Sequence, residues 1–215
     1  MKVLITGTAS GIGKAIAEEF LSCGHTVTGI DKNECAICDN NYKHIVTDIA
    51  KSDLPDVDGV EILINNAGVQ DSGEDIDVNL KGTIRVTEKY AFQDKIRSVL
   101  FIASASAHTG AEFPEYAASK GGIISYMKNV ALRVAKYGAT ANSLSPGGVT
   151  TDINDRVMKD EKMWKRIMDL TLIPKWASAE EIAKWAYFVT AVNKSMTAQD
   201  ILIDNGESAK AEFVW

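Results

Sequence analysis

The stretch KVLITGTASGIGKAIAEEF, residues 2–20, joins an apolar, β-branched run to a glycine-rich turn and then to a helix-like segment. Gly7, Gly11 and Gly13 permit a tight turn between the strand and the helix. The helix that follows directs its unpaired amides and the positive end of its dipole at whatever lies above the turn. The pattern therefore predicts a strand–turn–helix unit that binds a pyrophosphate group.

A triphosphate-binding P-loop is the main alternative for this turn, because Lys14 follows Gly13. The interval from Gly7 to Gly13 is too long by one residue for that motif. In addition, Ala15 stands where the motif requires a magnesium-binding Ser or Thr. A dinucleotide is thus the favoured ligand.

The next strand-like run, TVTGID, ends at Asp31. An acidic side chain about 20 residues beyond such glycines hydrogen-bonds the adenosine ribose. A carboxylate there repels a 2′-phosphate, so NAD is favoured over NADP. Lys32 weakens this preference if its ammonium group turns toward the ribose.

Composition excludes several classes of function. The chain has 215 residues, 46% of them hydrophobic and 24% charged, which is ordinary for a globular protein. A net charge of -6 argues against nucleic-acid binding and against adhesion to an anionic membrane. No apolar run reaches the ~20 residues that span a bilayer. We expect a cytoplasmic protein that forms a single domain, residues 1–215.

Three cysteines, Cys23, Cys35 and Cys38, are too few and too unevenly spaced for a disulfide framework. Cys35 and Cys38 form a CxxC, but no second CxxC or HxxxH supplies the remaining zinc ligands. We predict no metal site. The CxxC is interpreted either as two reduced thiols in a loop or as a dithiol redox site.

Strand-like runs alternate with helix-like segments along the chain, and several runs are continuously apolar, as in parallel strands covered on both faces. The pattern predicts an α/β fold: a doubly wound, Rossmann-type parallel sheet of about seven strands with helices on both faces, in three layers. A charged insertion bearing Met and Trp, residues 152–174, interrupts the alternation. The predicted strands are Val3–Thr6, Thr26–Ile30, His44–Thr47, Glu61–Ile64, Ser98–Ala103, Thr140–Leu144 and Ile201–Ile203, and the predicted helices are Gly13–Ser22, Val78–Gln93, Tyr116–Tyr137 and Ala179–Ala191.

Further motifs follow in order along the chain. They are NNAG at Asn65–Gly68, Asn79, Ser104, YAASK at Tyr116–Lys120, SPGGVTT at Ser145–Thr151 and the closing DILIDNG. Together with TGTASGIG and Asp31, they resemble the motifs of the short-chain dehydrogenase/reductase family. Each motif alone is weak evidence. Their common order over nearly the whole chain makes the resemblance strong.

The resemblance implies roles for four side chains: Tyr116 as acid/base, Lys120 as its cationic neighbour, Ser104 as donor to the substrate oxygen and Asn79 as anchor for a proton-relay water. Tyr116 and Lys120 are four residues apart, so they share one face of a helix. A nearby cation favours the phenolate and brings the pKa of a tyrosine toward the working range of general acid–base catalysis.

The resemblance also implies contacts with the cofactor, NAD, in the loops that follow the strands. These contacts are at Gly7, Ser10, Gly11, Ile12, Gly13, Asp31, Lys32, Asp48, Ile49, Asn66, Ala67, Gly68, Tyr116, Lys120, Pro146, Gly147, Val149 and Thr151.

Two segments concern the substrate. The insertion 152–174 stands where the family has a mobile lid, and Trp164 belongs to its expected apolar inner face. Residues 69–78 form a shorter connection than the family usually has before Asn79. The expected activity is hydride transfer between NAD(H) and a secondary alcohol or ketone, with a 3-oxoacyl thioester among the possible substrates. A weakly catalytic, NAD(H)-responsive regulatory protein is the alternative.

The resemblance further implies a homodimer or homotetramer. We expect its subunits to meet through the long helices at about Val78–Gln93 and Tyr116–Tyr137.

Overall fold

Strands and helices alternate along the chain, as the sequence pattern predicts. A computed structural model describes residues 1–111, 113–151 and 154–210. The strands are β1 (Lys2–Thr6), β2 (Thr26–Asp31), β3 (Tyr42–Val46), β4 (Ile62–Asn65), β5 (Ser98–Ile102), β6 (Thr140–Pro146), β7 (Val149–Thr150), β8 (Ala177–Ser178) and β9 (Asp200–Ile203). The α-helices are α1 (Gly11–Ser22), α2 (Thr83–Tyr90), α3 (Ser106–Thr109), α4 (Pro114–Val134), α5 (Asp155–Met158), α6 (Glu161–Leu170) and α7 (Ala179–Tyr187).

Seven of these strands form one sheet in the order β3-β2-β1-β4-β5-β6-β9. All of its neighbouring strands pair in parallel. The order reverses between β1 and β4, and ligands bind outside the carboxyl ends of the strands at such a reversal. The predicted doubly wound α/β fold is therefore confirmed, and the loops after β1, β4, β5 and β6 open at one edge of the sheet.

Successive side chains along the strands pack on opposite faces of the sheet. In β1, Val3 and Ile5 join the core under α1 and α7, whereas Leu4 joins the core under α2 and α4. Phe20 of α1 and Met127 of α4 are the large, fully buried side chains that meet the sheet from the two sides. Burial on both faces explains why the strands read as continuous apolar runs.

The second predicted helix differs from a regular α-helix at its beginning. A π-helix at Ile76–Gly82 precedes α2, which ends at Tyr90 rather than at the predicted Gln93. Within the π-helix, the Asn79 side chain bonds to the backbone of Val69 on both its N–H and its carbonyl. The widened turn thus carries a tertiary contact that no local propensity encodes.

Helix α4 packs closely on this π-helix through glycine. A Cβ atom added to Gly122 would lie 2.9 Å from Cδ2 of Leu80, whereas one added to Gly121 meets nothing within 4 Å. The missing side chain at Gly122 therefore lets the two helices approach.

The two neighbouring glycines allow a matched test. We expect Gly121→Ala to stabilise the fold by up to about 1 kcal/mol, because alanine favours the helix. Gly122→Ala should lose that gain to overpacking against Leu80. Its free energy of unfolding should be about 1–2 kcal/mol lower than that of Gly121→Ala, so it unfolds at a lower urea concentration. Urea unfolding of both variants measures the difference. Equal midpoints would show that a methyl group at Gly122 fits beside Leu80 without loss of stability.

Among the described residues, no helix combines the length and the apolar character needed to cross a membrane.

Candidate active site

The reversal point of the sheet is built by the loops that follow β1 and β4. The amide of Asn66 donates to the carbonyls of Thr6 and Gly7, each at 3.0 Å. The hydroxyl of Thr6 accepts from the backbone N–H groups of Asn66 and Ala67, each at 3.1 Å. The two loops are therefore held together at the floor of a cleft.

The glycine loop has no room for side chains at its contact with this floor. A Cβ on Gly13 would lie 1.9 Å from the Gly7 carbonyl oxygen and 2.3 Å from Nδ2 of Asn66. A Cβ on Gly7 would lie 2.7 Å from the same nitrogen, and Gly7 has a φ of +77°. Glycine is thus required at both positions by packing, and at Gly7 also by backbone conformation.

The N-terminus of α1 is open toward the cleft. Ser10 occupies the N-cap position without a side-chain hydrogen bond to the first turn. The amides of Gly11 and the residues after it are therefore free of a side-chain cap, as a bound diphosphate requires. Across the cleft, a Cβ added to Gly11 would lie 3.6 Å from Cγ2 of Thr151. Gly11 and Thr151, two of the predicted cofactor contacts, therefore lie close together.

The carboxylate of Asp31 lies at the end of β2, beside the glycine loop. Its Oδ2 accepts from the N–H of Ala9 at 3.0 Å, and its Oδ1 accepts from the N–H of Asn33 at 2.9 Å. It is partly exposed, whereas Lys32 is exposed. This placement fits a carboxylate that accepts from a ribose hydroxyl.

Asp48 and Ile49, two predicted cofactor contacts, lie in the turn that follows β3. Asp48 caps its own turn, with Oδ1 accepting from the N–H of Ala50 at 2.8 Å. The Ile49 side chain is buried, and a Cβ on Gly82 would lie 3.1 Å from it. The side chain of Ile49 is therefore part of the packing under the loop.

Three side chains of the predicted catalytic set meet where β5 ends. Ser104, which is 8% exposed, follows the strand, and Tyr116 and Lys120 share one face of α4. Nζ of Lys120 lies 5.6 Å from the centre of the Tyr116 ring and donates to the Ile102 carbonyl at 2.8 Å. Helix α4 begins with Pro114, which suits a first helical turn.

Burial is the largest cause of the pKa shifts of Tyr116 and Lys120. Burial raises the pKa of Tyr116, a hydrogen bond with Ser104 opposes that rise, and the charge of Asp75 adds to it. Burial lowers the pKa of Lys120 to about 8, while Asp75 opposes this fall. Burial is the largest influence on the Tyr116 pKa in this structure and raises it, and the lowering of that pKa by Lys120 remains a prediction.

Asn79 is completely buried, and both polar atoms of its side-chain amide bond to protein groups. Oδ1 accepts from the Val69 N–H at 2.7 Å, and Nδ2 donates to the Val69 carbonyl at 2.9 Å and to Oγ of Ser119 at 3.1 Å. Ser119 in turn donates to the carbonyl of Tyr116 at 2.7 Å. The amide thus braces the catalytic helix, so a water at Asn79 would bind elsewhere on this residue.

Two glycines of the loop after β6 pack closely against Asp204 and Trp176. A Cβ on Gly147 would lie 2.8 Å from Cβ of Asp204, and one on Gly148 would lie 2.0 Å from Cε2 of Trp176. The carbonyl of Pro146 accepts from the Ala105 N–H at 2.8 Å, which ties this loop to the one that carries Ser104. Val149 is buried in β7.

The predicted lid contains two helices, α5 and α6, that lie outside the sheet. Its predicted first residue, Asp152, and residue 153 lie outside the described residues. Trp164 of α6 packs edge-to-face on Trp176, with the ring centres 5.1 Å apart. Trp164 thus anchors the lid to the body of the protein beside the loop after β6.

The CxxC lies beside the glycine loop rather than in the catalytic group. Cys35 and Cys38 are free thiols, and Sγ of Cys35 donates to the Thr8 carbonyl at 3.3 Å. Within the described ranges, no cluster of three or more His, Cys, Asp or Glu side chains could hold a metal ion. The absence of a metal remains a prediction.

Two residues near the site were not singled out from the sequence. Trp176 packs against Gly148, and Asp75 is 2% exposed. Asp75 precedes Asn79 by one helical turn, which places it on the same face of the helix; that spacing is the signal that could have found it. No motif marks Trp176.

The residues present fit a dinucleotide. The glycine loop, the uncapped helix end and the partly exposed Asp31 accommodate the diphosphate and the ribose. The Ser104–Tyr116–Lys120 group lies after β5, two strands along the sheet from the glycine loop. This combination of fold and site defines a nucleotide-dependent oxidoreductase of Rossmann type.

Comparison with known proteins identifies the family. The model of the short chain dehydrogenase family matches residues 1–162, so the chain belongs to this family. The 3-oxoacyl-(acyl-carrier-protein) reductase MabA of Mycobacterium avium is 27% identical over 95% of this chain and 88% of that protein.

Solved structures share the fold over nearly the whole chain. A putative 2-deoxy-D-gluconate 3-dehydrogenase from Agrobacterium tumefaciens with bound NADP is 26% identical, with a TM-score of 0.88 over 97% of this chain and 96% of that chain. A 3-ketoacyl-(acyl-carrier-protein) reductase from Brucella melitensis complexed with NADH is 21% identical, with a TM-score of 0.81 over 96% of this chain and 98% of that one. The second likeness shows the fold alone.

Proposed function

We propose that this short-chain dehydrogenase interconverts a secondary alcohol and a ketone with NAD(H), and that Tyr116 is its acid/base. The observation that carries the proposal is the placement of Tyr116 and Lys120 on one face of α4, next to Ser104. The three groups lie at the same sheet edge as the glycine loop. A proton donor and an oxygen-binding hydroxyl thus face the cleft in which a dinucleotide fits.

The chain's own residues would handle the substrate oxygen and its proton. The Ser104 hydroxyl would hold the carbonyl oxygen, and Tyr116 would donate its phenolic proton to it in the reductive direction. Lys120 would stabilise the phenolate that remains. When bound, the reduced nicotinamide supplies the hydride. Oxidation of the alcohol reverses these roles, with the phenolate accepting the proton.

A 3-oxoacyl thioester is the first substrate class to test. Its support is the name of relatives at 27% identity, the reductases of Mycobacterium avium and Aquifex aeolicus. The gluconate-type name of the Agrobacterium protein adds oxidised sugars to the panel. Purified protein would be screened against both classes by the absorbance of the reduced cofactor. Tight NADH binding without turnover on any of them would instead favour the regulatory alternative.

Asp31 carries the proposed preference for NAD. Replacing it with Asn removes the charge that repels a 2′-phosphate but keeps an oxygen to accept from Ala9. We expect the affinity ratio of NADH to NADPH to fall about tenfold or more, because a charged hydrogen bond and a repulsion are both lost. Calorimetric titration with both cofactors measures the ratio.

The matched control for this test is Asp39→Asn, which removes the same charge from the exposed loop after β2. The ratio should be unchanged in that variant. Tighter binding of NADPH than of NADH by the unmodified protein would overturn the assignment of Asp31.

Assembly is also part of the proposal. We propose a homodimer or homotetramer with contacts through α2 and α4, whose outer surface exposes Leu132 at 79%. On this surface, the Arg133 guanidinium lies 3.7 Å from the centre of the Phe92 ring and donates to both oxygens of Glu88. The single-domain organisation and the cytoplasmic location remain predictions from the sequence.

A further inference from the structure

The short connection before Asn79 turns one carboxylate inward. Asp75 is 2% exposed, whereas its acidic neighbours Glu74 and Asp77 pair at the surface with Lys51 and Lys81. Among the ion pairs of the described residues, none involves Asp75. A buried carboxylate without a cation in contact is costly, so its position calls for an explanation.

Hydrogen bonds hold this carboxylate in a fixed position. Oδ1 of Asp75 accepts from the Asp71 N–H at 3.0 Å. Oδ2 accepts from the N–H of Ser72 at 2.9 Å and from its hydroxyl at 3.1 Å. The turn 71–75 therefore presents a negative charge at the start of the π-helix.

The same face of the π-helix meets the catalytic group. A Cβ added to Gly68 would lie 3.0 Å from Oδ1 of Asn79 and 3.5 Å from Nζ of Lys120. Asn79 and the ammonium group therefore both lie against Gly68, and Asp75 precedes Asn79 by one helical turn. The buried carboxylate and the buried ammonium group thus belong to segments that meet at Gly68 and Asn79.

We propose that Asp75 is a buried counter-charge of the Tyr116–Lys120 pair, which keeps Lys120 protonated and holds Tyr116 as the neutral proton donor. The inference rests on the proposed role of Tyr116. It makes Asp75 a positioning residue, acting through Tyr116 and Lys120 without touching substrate. It also assigns the protein a bias at neutral pH toward carbonyl reduction, since that direction consumes the phenolic proton.

Electrostatics agree with the geometry. The negative charge of Asp75 raises the pKa of both Tyr116 and Lys120. Two further titratable groups of the described residues lie on helices α3 and α4. They are Glu115, exposed on α4, and His108 of α3, whose Nε2 lies 2.7 Å from Oδ2 of Asp200.

The test is Asp75→Asn, with the Tyr116 titration as the readout. Without the negative charge the phenolate becomes less unfavourable, so the Tyr116 pKa should fall. The alkaline limb of kcat/KM for ketone reduction then moves to lower pH. On that limb we expect about three- to tenfold less reduction than in the unmodified protein. Oxidation on its own acidic limb should rise correspondingly.

Two control variants separate charge from structure. Asp77→Asn removes a charge from the same π-helix at its exposed face, and Ser72→Ala removes one bond to Asp75 but keeps its charge. Neither should move the limb. A limb that stays in place in Asp75→Asn, or that moves equally in Asp77→Asn, would overturn the proposal.

A spectroscopic measurement makes the inference independent of turnover and of the folding of Asp75→Asn. The carbon-13 chemical shift of the Asp75 carboxylate in the unmodified protein should change in a step as the pH is raised and Tyr116 ionises. This step in the titration curve should vanish in Tyr116→Phe. An unchanged step in Tyr116→Phe would refute the coupling. Coupling without turnover would leave the Asp75 inference standing and refute the proposed activity.

Discussion

Tyr116→Phe is expected to lower turnover by about three orders of magnitude, within the range that general acid–base catalysis contributes. The change removes the phenolic oxygen and leaves the ring on α4 beside Lys120. NADH affinity should change little, because the glycine loop and Asp31 form the other end of the cleft. Steady-state kinetics with any accepted ketone, together with calorimetric NADH titration, separates the two quantities.

The control for this prediction is Tyr126→Phe on the same helix. The hydroxyl of Tyr126 donates to Glu88 at 2.9 Å on the α2 side, away from Ser104. Its loss should leave turnover near that of the unmodified protein. Equal activity of the unmodified protein and Tyr116→Phe would exclude Tyr116 as the acid.

Gly13→Ala is expected to reduce NADH affinity by at least about tenfold, the equivalent of about 1.4 kcal/mol. Alanine favours a helix over glycine, so local propensity alone predicts a gain of about 1 kcal/mol. The added Cβ would nevertheless stand 1.9 Å from the Gly7 carbonyl oxygen, a distance that forces the backbone of the loop to move. Displacement of the loop also displaces the amides that meet the diphosphate.

Gly121→Ala serves as the comparison for Gly13→Ala, because a Cβ there meets nothing within 4 Å. That variant should bind NADH normally. Thermal unfolding of Gly13→Ala distinguishes a displaced loop from a lost fold: we expect a lower midpoint but a cooperative transition. Unchanged NADH affinity would mean that the close contact of Gly7 and Gly13 is not needed for binding.

Much of the fold was predictable because it depends on local patterns. Continuous apolar runs marked the strands that both faces of the sheet bury, and the alternation with helices indicated parallel pairing. Boundaries were less accurate where tertiary contacts intervene. Strand β3 begins at Tyr42 rather than His44, and the hydroxyl of Tyr42 bonds to Thr8 in the glycine loop.

The proximity of Ser104, Tyr116 and Lys120 was predictable from the sequence, whereas the electrostatics of this group were less so. Spacing placed Tyr116 and Lys120 on one helical face, and motif order placed Ser104 near them. The use of the Asn79 amide by Val69 and Ser119, and the anchoring of Trp164 on Trp176, depend on segments far apart in the chain. Spacing carries no information about such contacts.

The sequence by itself determined which loops carry polar and glycine residues after apolar strands, and hence that a cleft opens at the carboxyl edge of a parallel sheet. Only the tertiary structure decided the balance of charge within that cleft. The pKa of a side chain depends on how much water surrounds it and on which charges lie near it in space. The pKa shifts of Tyr116 and Lys120 arise chiefly from a burial that separate segments of the chain create together.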